Sequence, residues 1–357
     1  MNMPAYIFFT LLLLQTGCGI LGPDKENPLE PGRRDYTWAV DTVGNDPDMW
    51  VGWGNTIWGS APNDVWLGLS GGHYNLWHYD GESWTPWPYR EGPNGFTGDF
   101  NTIYGFAQND VWMGGKGPGG RGIWHFDGTE WKLAHTYQPE GMGEPNVIDM
   151  WGSSSSDIYT VGTVPTGQGN PSYKGFILHY NGSTWEEVLM TDFGMQFQQI
   201  RENKKGTYIH GGGPYSTQLL PDSASIYKLN NNHLEELYSK SSRDAGTPRL
   251  NKISNKIYFV LENEVTDTDF NGILPFKISE DVYDVNGRHA KDLFITTEYG
   301  VLHYNGEDTE YLLTLESSSS VVFRTFIMGN DVFFLVNDNS TGTNLIYHGI
   351  LPKEQEE

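Results

Sequence analysis

Short apolar segments separated by polar turns recur at a regular distance through the first half of the chain. Each copy begins with an apolar-aromatic-glycine triplet, passes through a polar turn and ends on an Asp-aliphatic-aromatic triplet. A second string follows, in which an apolar pair leads to His, an aromatic residue and then Asp-Gly or Asn-Gly. The first string occupies residues 57–66, 103–112 and 150–159, and the second occupies 76–84, 123–131 and 178–185. This self-similarity predicts a chain built from repeats of about 40–50 residues.

The second half of the chain carries weaker copies of the same landmarks. Residues 285–306 repeat them in the same order, and residues 331–348 form a further copy. The aromatic residue that ends the first string, or its counterpart in a weak copy, serves as a ruler at Trp66, Trp112, Tyr159, Tyr208, Tyr258, Phe294 and Phe333. These positions predict seven copies.

Turn signals divide one copy into four strands. Pro62-Asn63-Asp64 separates the first strand from the second, and Asp80-Gly81 is a strong hairpin signal before the fourth. No long segment shows the 3.6-residue apolar period of a helix. A linear solenoid would need capping repeats, and none is visible. The pattern therefore predicts an all-β fold, a seven-bladed β-propeller made of four-stranded antiparallel blades.

The last copy supplies only three strands, which end near residues 347–351. Residues 36–41, ahead of the first copy, resemble the fourth-strand segment at 84–87. We therefore expect the N-terminal strand to complete the seventh blade and close the ring. Such pairing would cover strand edges that otherwise invite aggregation.

With these repeats, the chain resembles the seven-bladed propeller lipoproteins of Gram-negative bacteria whose blades carry W-G-S-x-x-x-D-V-W and H-Y-D-G-x-x-W. The resemblance is strong over residues 55–190, fair over 284–350 and weak between them. It implies the propeller fold and export from the cytoplasm. It implies no reaction, because propellers carry many unrelated functions.

The N-terminus indicates where the protein resides. The apolar run at residues 7–14 is too short to cross a bilayer as a helix, and Gly17-Cys18 follows it closely. We expect a lipoprotein signal peptide at 1–17, a lipidated Cys18 with a flexible tether at 18–35, and a propeller domain at 36–357. An ordinary secretory signal is the alternative. Gly19 favours sorting to the outer membrane, on either its periplasmic or its outer side.

Composition excludes one class of partner. The formal net charge of −23 makes nucleic-acid binding improbable. Cys18 is the only cysteine, so the folded domain has no disulfide and must be closed by noncovalent contacts.

Residues that occur once per copy are expected to be structural, because an active site needs one constellation. We expect them to satisfy buried backbone groups or turns, since the blade spacing suits a ring of metal ligands poorly. No metal or cofactor is predicted. These residues are His78, His125, His179, His303, His348, Asp64, Asp110, Asp157, Asp292 and Asp331. The repeated tryptophans are expected to pack between strands or blades.

Function is expected where the copies differ, on the long inserts that share one face. Gathered at one mouth of an acidic protein, their aromatic, His and basic groups would suit a glycan or an anionic ligand. They are His73, Tyr74, Arg90, Lys116, Arg121, His135, Tyr137, Tyr173, Lys174, His210 and Tyr215. We expect a membrane-anchored binding or scaffolding module for a glycan or an envelope protein. The alternative is a carbohydrate-active hydrolase or lyase, although no catalytic signature is present.

Overall fold

Every regular element that the structure describes is a β-strand. The computed structural model describes residues 29–44, 52–88, 98–118, 120–166, 173–191, 194–213, 223–241, 249–261 and 263–353. None of these residues belongs to a helix long and apolar enough to cross a membrane. The predicted all-β fold is confirmed.

The strands follow the turn signals of the repeats. Strands β1 to β13 comprise Thr37–Val43, Trp53–Ala61, Asp64–Ser70, Leu76–Tyr79, Trp84–Pro86, Asp99–Ala107, Asp110–Gly117, Gly120–Phe126, Trp131–His135, Asn146–Ser154, Asp157–Pro165, Tyr173–Tyr180 and Trp185–Met190. Strands β14 to β27 comprise Gln196–Asn203, Gly206–Gly212, Ser223–Asn230, His233–Ser241, Asn251–Ile253, Lys256–Leu261, Glu264–Asp267, Val282–His289, Asp292–Thr297, Gly300–Tyr304, Thr309–Thr314, Ser320–Met328, Asp331–Asp338 and Thr343–Ile350.

Consecutive strands pair in antiparallel sheets. Strands β10–β13, β14–β17 and β21–β24 form four-stranded sheets in chain order, and β18–β20 form a three-stranded sheet. Strands β2–β5 and β6–β9 have the same internal order and are joined through one residue pair, Ser70 with Asp99. Several four-stranded antiparallel sheets are therefore present, as the repeats predict.

The N-terminal strand pairs with the end of the chain. Strand β1 lies beside β27, with Thr37 opposite Ile350 and Val43 opposite Asn344. It becomes the fourth strand of the sheet that β25, β26 and β27 form. The ring of Trp38 packs 5.4 Å from that of Phe334 on β26. The predicted pairing of this segment with the last copy is present.

Residues just ahead of β1 lie against the sheet β21–β24. The N–H group of Gly32 donates to the carbonyl oxygen of Lys291 at 2.9 Å. Arg34 donates to the carbonyl oxygen of His303 at 2.9 Å and lies 2.7 Å from a carboxylate oxygen of Asp308. The compact unit accordingly begins at Pro31, a few residues before the predicted start at residue 36.

Neighbouring sheets are linked by side-chain hydrogen bonds between their first strands. Asn286 on β21 donates to the carbonyl oxygen of Thr325 on β25 at 2.8 Å. The last sheet is linked to the first in a similar way, since Asn337 donates to the carbonyl oxygen of Gly54 at 3.2 Å. The Gly54 N–H group donates in turn to the side chain of Asn344 at 2.7 Å.

The repeated His and Asp residues bond to each other rather than to backbone groups. Each His Nε2 lies 2.6–2.8 Å from an Asp Oδ1, and each His ring packs on the ruler aromatic of its own copy at 4.0–4.8 Å. The pairs are His78–Asp64, His125–Asp110, His179–Asp157, His303–Asp292 and His348–Asp331. This arrangement ties the second strand of a sheet to the third.

Candidate functional site

The first strands of the sheets surround a central cavity of about 730 Å³. We call β2, β6, β10, β14, β18, β21 and β25 the inner strands. Apart from the single residue pair that links β6 to β3, each inner strand lies at the edge of its sheet, so some of its N–H and C=O groups have no partner within that sheet. Side chains from all of them, together with His210 on β15, line the cavity.

One layer of the cavity wall carries a polar side chain from every inner strand or the residues that lead into it. Its members are Thr56, Thr102, Asp149, Gln199, Arg249, Asp284 and Arg324. Thr56 Oγ1 accepts a hydrogen bond from the N–H group of Ile103 on the next inner strand at 3.0 Å. Asp149 and Gln199 accept the N–H groups of Ile200 and Leu250 at 2.9 and 2.8 Å. Thr56, Asp149 and Gln199 therefore satisfy backbone N–H groups at the edge of the neighbouring sheet.

The layer departs from this role at Arg249 and Arg324, which we call the cationic pair. Both guanidinium groups donate through Nη1 to the carbonyl oxygen of Phe323, at 3.2 Å from Arg249 and 2.9 Å from Arg324. They also lie over the Phe323 ring, at 5.5 and 4.5 Å from its centroid. Two positive charges therefore meet at one residue of the cavity wall.

Carboxylates neutralise only part of this positive charge. Asp149 forms an ion pair with Arg201, and an oxygen of Asp284 lies 3.9 Å from Arg249. Asp284 also accepts hydrogen bonds from the Asn251 side chain at 2.6 Å and from a backbone N–H group at 2.9 Å. Among the residues that the structure describes, no carboxylate oxygen lies within 4.0 Å of Arg324.

Burial makes this charge costly to the folded protein. Burial, together with the charge of Arg249, lowers the pKa of Arg324 to about 9. Burial also lowers the pKa of His210 to about 3, so this imidazole is neutral at pH 7. It raises the pKa of Asp284, although Arg249 opposes that shift. An anion in the cavity would relieve the repulsion that Arg324 experiences.

Lys252 adds a further cation to the wall. Its Nζ lies over the Trp151 ring at 4.9 Å from the centroid, a cation–π arrangement. Within the part of the chain that the structure describes, the cavity lining contains four Lys and Arg residues, Arg201, Arg249, Lys252 and Arg324, against the two carboxylates Asp149 and Asp284. The lining is therefore positively charged inside a chain whose formal net charge is −23.

The comparisons with known proteins give a fold but no family. No family model matches the chain, and no curated protein sequence matches it. Solved structures do match. One titled "YCF48 bound to D1 peptide" is 13% identical and has a TM-score of 0.60, with 91% of this chain and 100% of that chain covered. An oligogalacturonate lyase in complex with manganese is 10% identical and has a TM-score of 0.58, with 91% and 99% covered.

These two proteins are β-propellers. The chain has a β-propeller fold. BamB from Moraxella catarrhalis is a more distant match, with 9% identity, a TM-score of 0.43, and 84% and 85% covered. All these identities are too low to indicate more than the shared architecture, so the site must be interpreted from its own residues. In propeller terms, each four-stranded sheet is a blade, and the groups β2–β5 and β6–β9 of the joined sheet are two blades.

Apart from His210, the insert residues that the sequence singles out and the structure describes do not line this cavity. His73 is exposed, and Tyr74 packs against the core cluster of the first and last blades. Arg121, at the start of the third strand of its blade, is 3.2 Å from Glu144. None of the three lines the cavity.

The remaining predicted residues belong to outer parts of two blades. His135 ends β9, and burial lowers its pKa. Tyr137 packs 4.8 Å from the ring of Phe176 and donates its hydroxyl to Glu187. Tyr173 begins β12. Predicted residues Arg90, Tyr215 and Cys18 lie outside the described residues.

One insert candidate does reach the cavity, although its predicted location is wrong. His210 lies on strand β15 instead of a loop, is 4% exposed and lines the cavity. Neither residue of the cationic pair is among the residues predicted from the sequence. A signal existed in the repeat alignment. Each residue of the cationic pair stands two positions before the aromatic residue of the apolar-aromatic-glycine triplet, or before its counterpart in a weak copy. The clear copies have Thr56, Thr102 and Asp149 at this position.

Proposed function

We propose that the chain is a seven-bladed propeller whose ring is closed by the N-terminal strand. The pairing of β1 with β27 and the hydrogen bonds of Asn337 and Asn344 to the first blade support this arrangement. Hydrogen bonds between successive inner strands support the count of seven blades. Strands β18–β20 then form a blade of three described strands. The central cavity then opens along the propeller axis.

We infer that this propeller is a binding module and that its cavity holds an acidic group of the ligand. The observation that carries this inference is the cationic pair at Phe323, where Arg324 has no carboxylate partner among the described residues. Two guanidinium groups that converge on one point suit a carboxylate or phosphate, because each offers several donors in a fixed plane. A glycan or an envelope protein that carries such a group remains our proposed partner.

The insert residues form the proposed approach to this site. Strands alternate in direction, so the connections from the second to the third strand of a blade emerge at the end where the inner strands begin. The connections between blades emerge at the same end. His73, Tyr74, Arg121, Tyr137 and Tyr173 belong to these connections or flank them. Arg90, Tyr215 and His135 complete the proposed set.

Titration calorimetry with an acidic tetrasaccharide of uronic acids and with a hexaglutamate peptide tests the proposal. We expect one of them to bind the wild-type chain, and Arg324→Gln to weaken that binding by about tenfold to a hundredfold. A hydrogen bond to a charged group contributes about 1.5–3 kcal/mol, which corresponds to this range. Lys205→Gln is the control, because Lys205 lies in the turn between β14 and β15, outside both the cavity and the proposed approach. Equal affinity in Arg324→Gln and wild type would contradict the proposed site.

The enzyme alternative has one observation in its favour, the raised pKa of the buried Asp284 carboxyl. General acid catalysis uses a carboxyl group of this kind. A second carboxylate at the correct distance is also required for hydrolysis, and the one in the cavity, Asp149, is held by Arg201 and a backbone N–H group. Cleavage of the tetrasaccharide by the wild type, with loss of cleavage in Asp284→Asn, would establish catalysis in place of simple binding.

We also propose that lipidation of Cys18 anchors the propeller to the outer membrane. Cys18→Ser should leave the fold intact and release the protein into the soluble fraction. The substitution removes the residue that carries the lipid, and stable lipid anchoring needs more than one acyl chain. Fractionation of cells in high salt, with the melting temperature of the purified variant as the control, checks this expectation. Membrane retention of Cys18→Ser would show that another segment holds the protein.

A further inference from the structure

A second, smaller pocket lies at the end of the propeller where the inner strands begin. It has a volume of about 250 Å³. We call it the rim pocket and define it by Tyr283, Glu298, Tyr299, Ser317, Ser320 and Val321. Its residues come from the sheets that contain β21–β24 and β25–β27, and from the connections at the ends of these strands.

The rim pocket gathers exposed aromatic surface. Tyr283 is 47% exposed, Tyr299 is 53% exposed and Val321 is 40% exposed. Single exposed apolar residues are ordinary, whereas exposed apolar side chains that share one concave patch mark an interaction surface. The rim pocket is therefore a candidate interaction surface.

Backbone contacts fix the positions of these two tyrosines in the fold. The N–H group of Tyr299 donates to Thr297 Oγ1 at 3.2 Å, and its carbonyl oxygen accepts the N–H group of Leu315 at 2.8 Å. Tyr283 lies at a β-bulge, where the register of β21 with β22 shifts between Val282 and Asp284. Bulges redirect side chains and often lie beside functional sites. The pocket is thus built by defined backbone geometry.

The surroundings of the rings select a neutral ligand. Glu298 is part of the pocket, and its negative charge raises the pKa of the Tyr299 hydroxyl. Burial and then the charge of Asp281 raise the pKa of Tyr283. This negative field repels acidic groups, whereas carboxylate oxygens and the hydroxyls of Ser317 and Ser320 can bond the hydroxyl groups of a sugar.

We propose that the rim pocket binds a neutral pyranose ring between Tyr283 and Tyr299. The negative faces of the two aromatic rings attract the weakly positive C–H groups of a sugar face, and Glu298 accepts hydrogen bonds from its hydroxyls. Pockets for drug-sized ligands measure about 300–1,000 Å³, so the smaller rim pocket suits a single monosaccharide unit. This site stands independently of the anion site in the cavity.

The rim pocket and the cavity are lined by residues of the same two strands, β21 and β25. Tyr283 directly precedes Asp284 of the cavity wall on β21, and Val321 precedes Phe323 and Arg324 on β25. This relation rests on the proposed function, and we extend it to one glycan whose acidic group lies at the cationic pair and whose neutral sugar lies at the rim pocket. The partner class that follows is a glycan containing both neutral and acidic units.

Saturation-transfer NMR on the full chain tests the rim pocket with four neutral probes: cellotetraose, maltotetraose, mannotetraose and tetra-N-acetylchitotetraose. We expect at least one to bind, and Tyr299→Ala to weaken its binding about tenfold, the effect of losing one aromatic contact. Tyr299→Phe should keep the affinity within about threefold, because the ring face remains. Arg324→Gln should leave the binding of these neutral probes unchanged.

Phe276→Ala is the matched control, because Phe276 is 37% exposed and lies outside the rim pocket. Melting temperatures of the variants identify any that fail to fold, and Tyr283→Ala then provides the second test of the pocket. The proposal is overturned if none of the four saccharides binds, or if Phe276→Ala weakens binding as much as Tyr299→Ala does. Loss of neutral-sugar binding in Arg324→Gln alone would place the sugar in the cavity instead.

Discussion

Removal of residues 19–44 should lower the melting temperature by about 10 °C or cause aggregation, whereas removal of 19–30 should leave it unchanged. The longer deletion removes β1, whose seven residues Thr37–Val43 all pair with β27. Each ladder hydrogen bond contributes about 1 kcal/mol, and burial of a side chain as large as Trp38 adds about 2–3 kcal/mol. Losses of this size are a large part of the 5–15 kcal/mol that stabilises a typical protein.

Residues outside β1 make the effect larger. The longer deletion also removes Arg34, which donates to the carbonyl oxygen of His303, and it exposes the edge of β27 to other chains. Thermal unfolding followed by circular dichroism, with light scattering for aggregation, measures both effects. The deletion of 19–30 is the control, because it ends before Pro31, where the compact unit begins. Equal melting temperatures for the two deletions would refute a structural role for the N-terminal strand.

Local turn chemistry explains why much of the fold could be predicted from the sequence. The Asp80-Gly81 signal corresponds to the turn between β4 and β5, where Gly81 has a φ of +97° that favours glycine. The predicted second strand at Val65 and Trp66 lies within β3. These signals act over a few residues and survive divergence between copies. They weaken over residues 249–281, where the structure describes only the three strands β18–β20 as a sheet.

The candidate site could not be predicted in the same way, because it depends on distant parts of the chain. Arg249 and Arg324 are 75 positions apart and meet only when their blades take their places around the cavity. Repetition identifies residues such as His78, which form hydrogen bonds within their own blade. Insert length predicts function in loops such as the one that contains His73. The cationic pair is not repeated, and Arg324 lies on β25 and not in an insert, so neither signal could reveal the two residues as a pair.

Arg324→Met should stabilise the ligand-free protein by about 1–2 kcal/mol, and Arg201→Met should destabilise it by about 3 kcal/mol. Replacement of a buried charge by an apolar side chain of similar volume is often neutral or stabilising, whereas removal of one partner of a buried ion pair is costly. Arg324 has no carboxylate within 4.0 Å in the described part of the chain, whereas Arg201 is paired with Asp149. Urea unfolding at pH 7 measures both free energies.

The opposite signs distinguish a ligand-binding group from a structural one. A lowered pKa means that the folded state disfavours the charged form of Arg324, so its charge subtracts stability at pH 7 and the cost declines as the pH rises through about 9. Replacement by Met removes that cost, and the anion site should be lost with it. If Arg324→Met instead destabilised the protein as much as Arg201→Met does, Arg324 would be part of the blade framework. In the described part of the chain Arg324 has no carboxylate partner, and its charge lowers the stability of the ligand-free protein. Both properties are expected of a group that binds an anionic ligand.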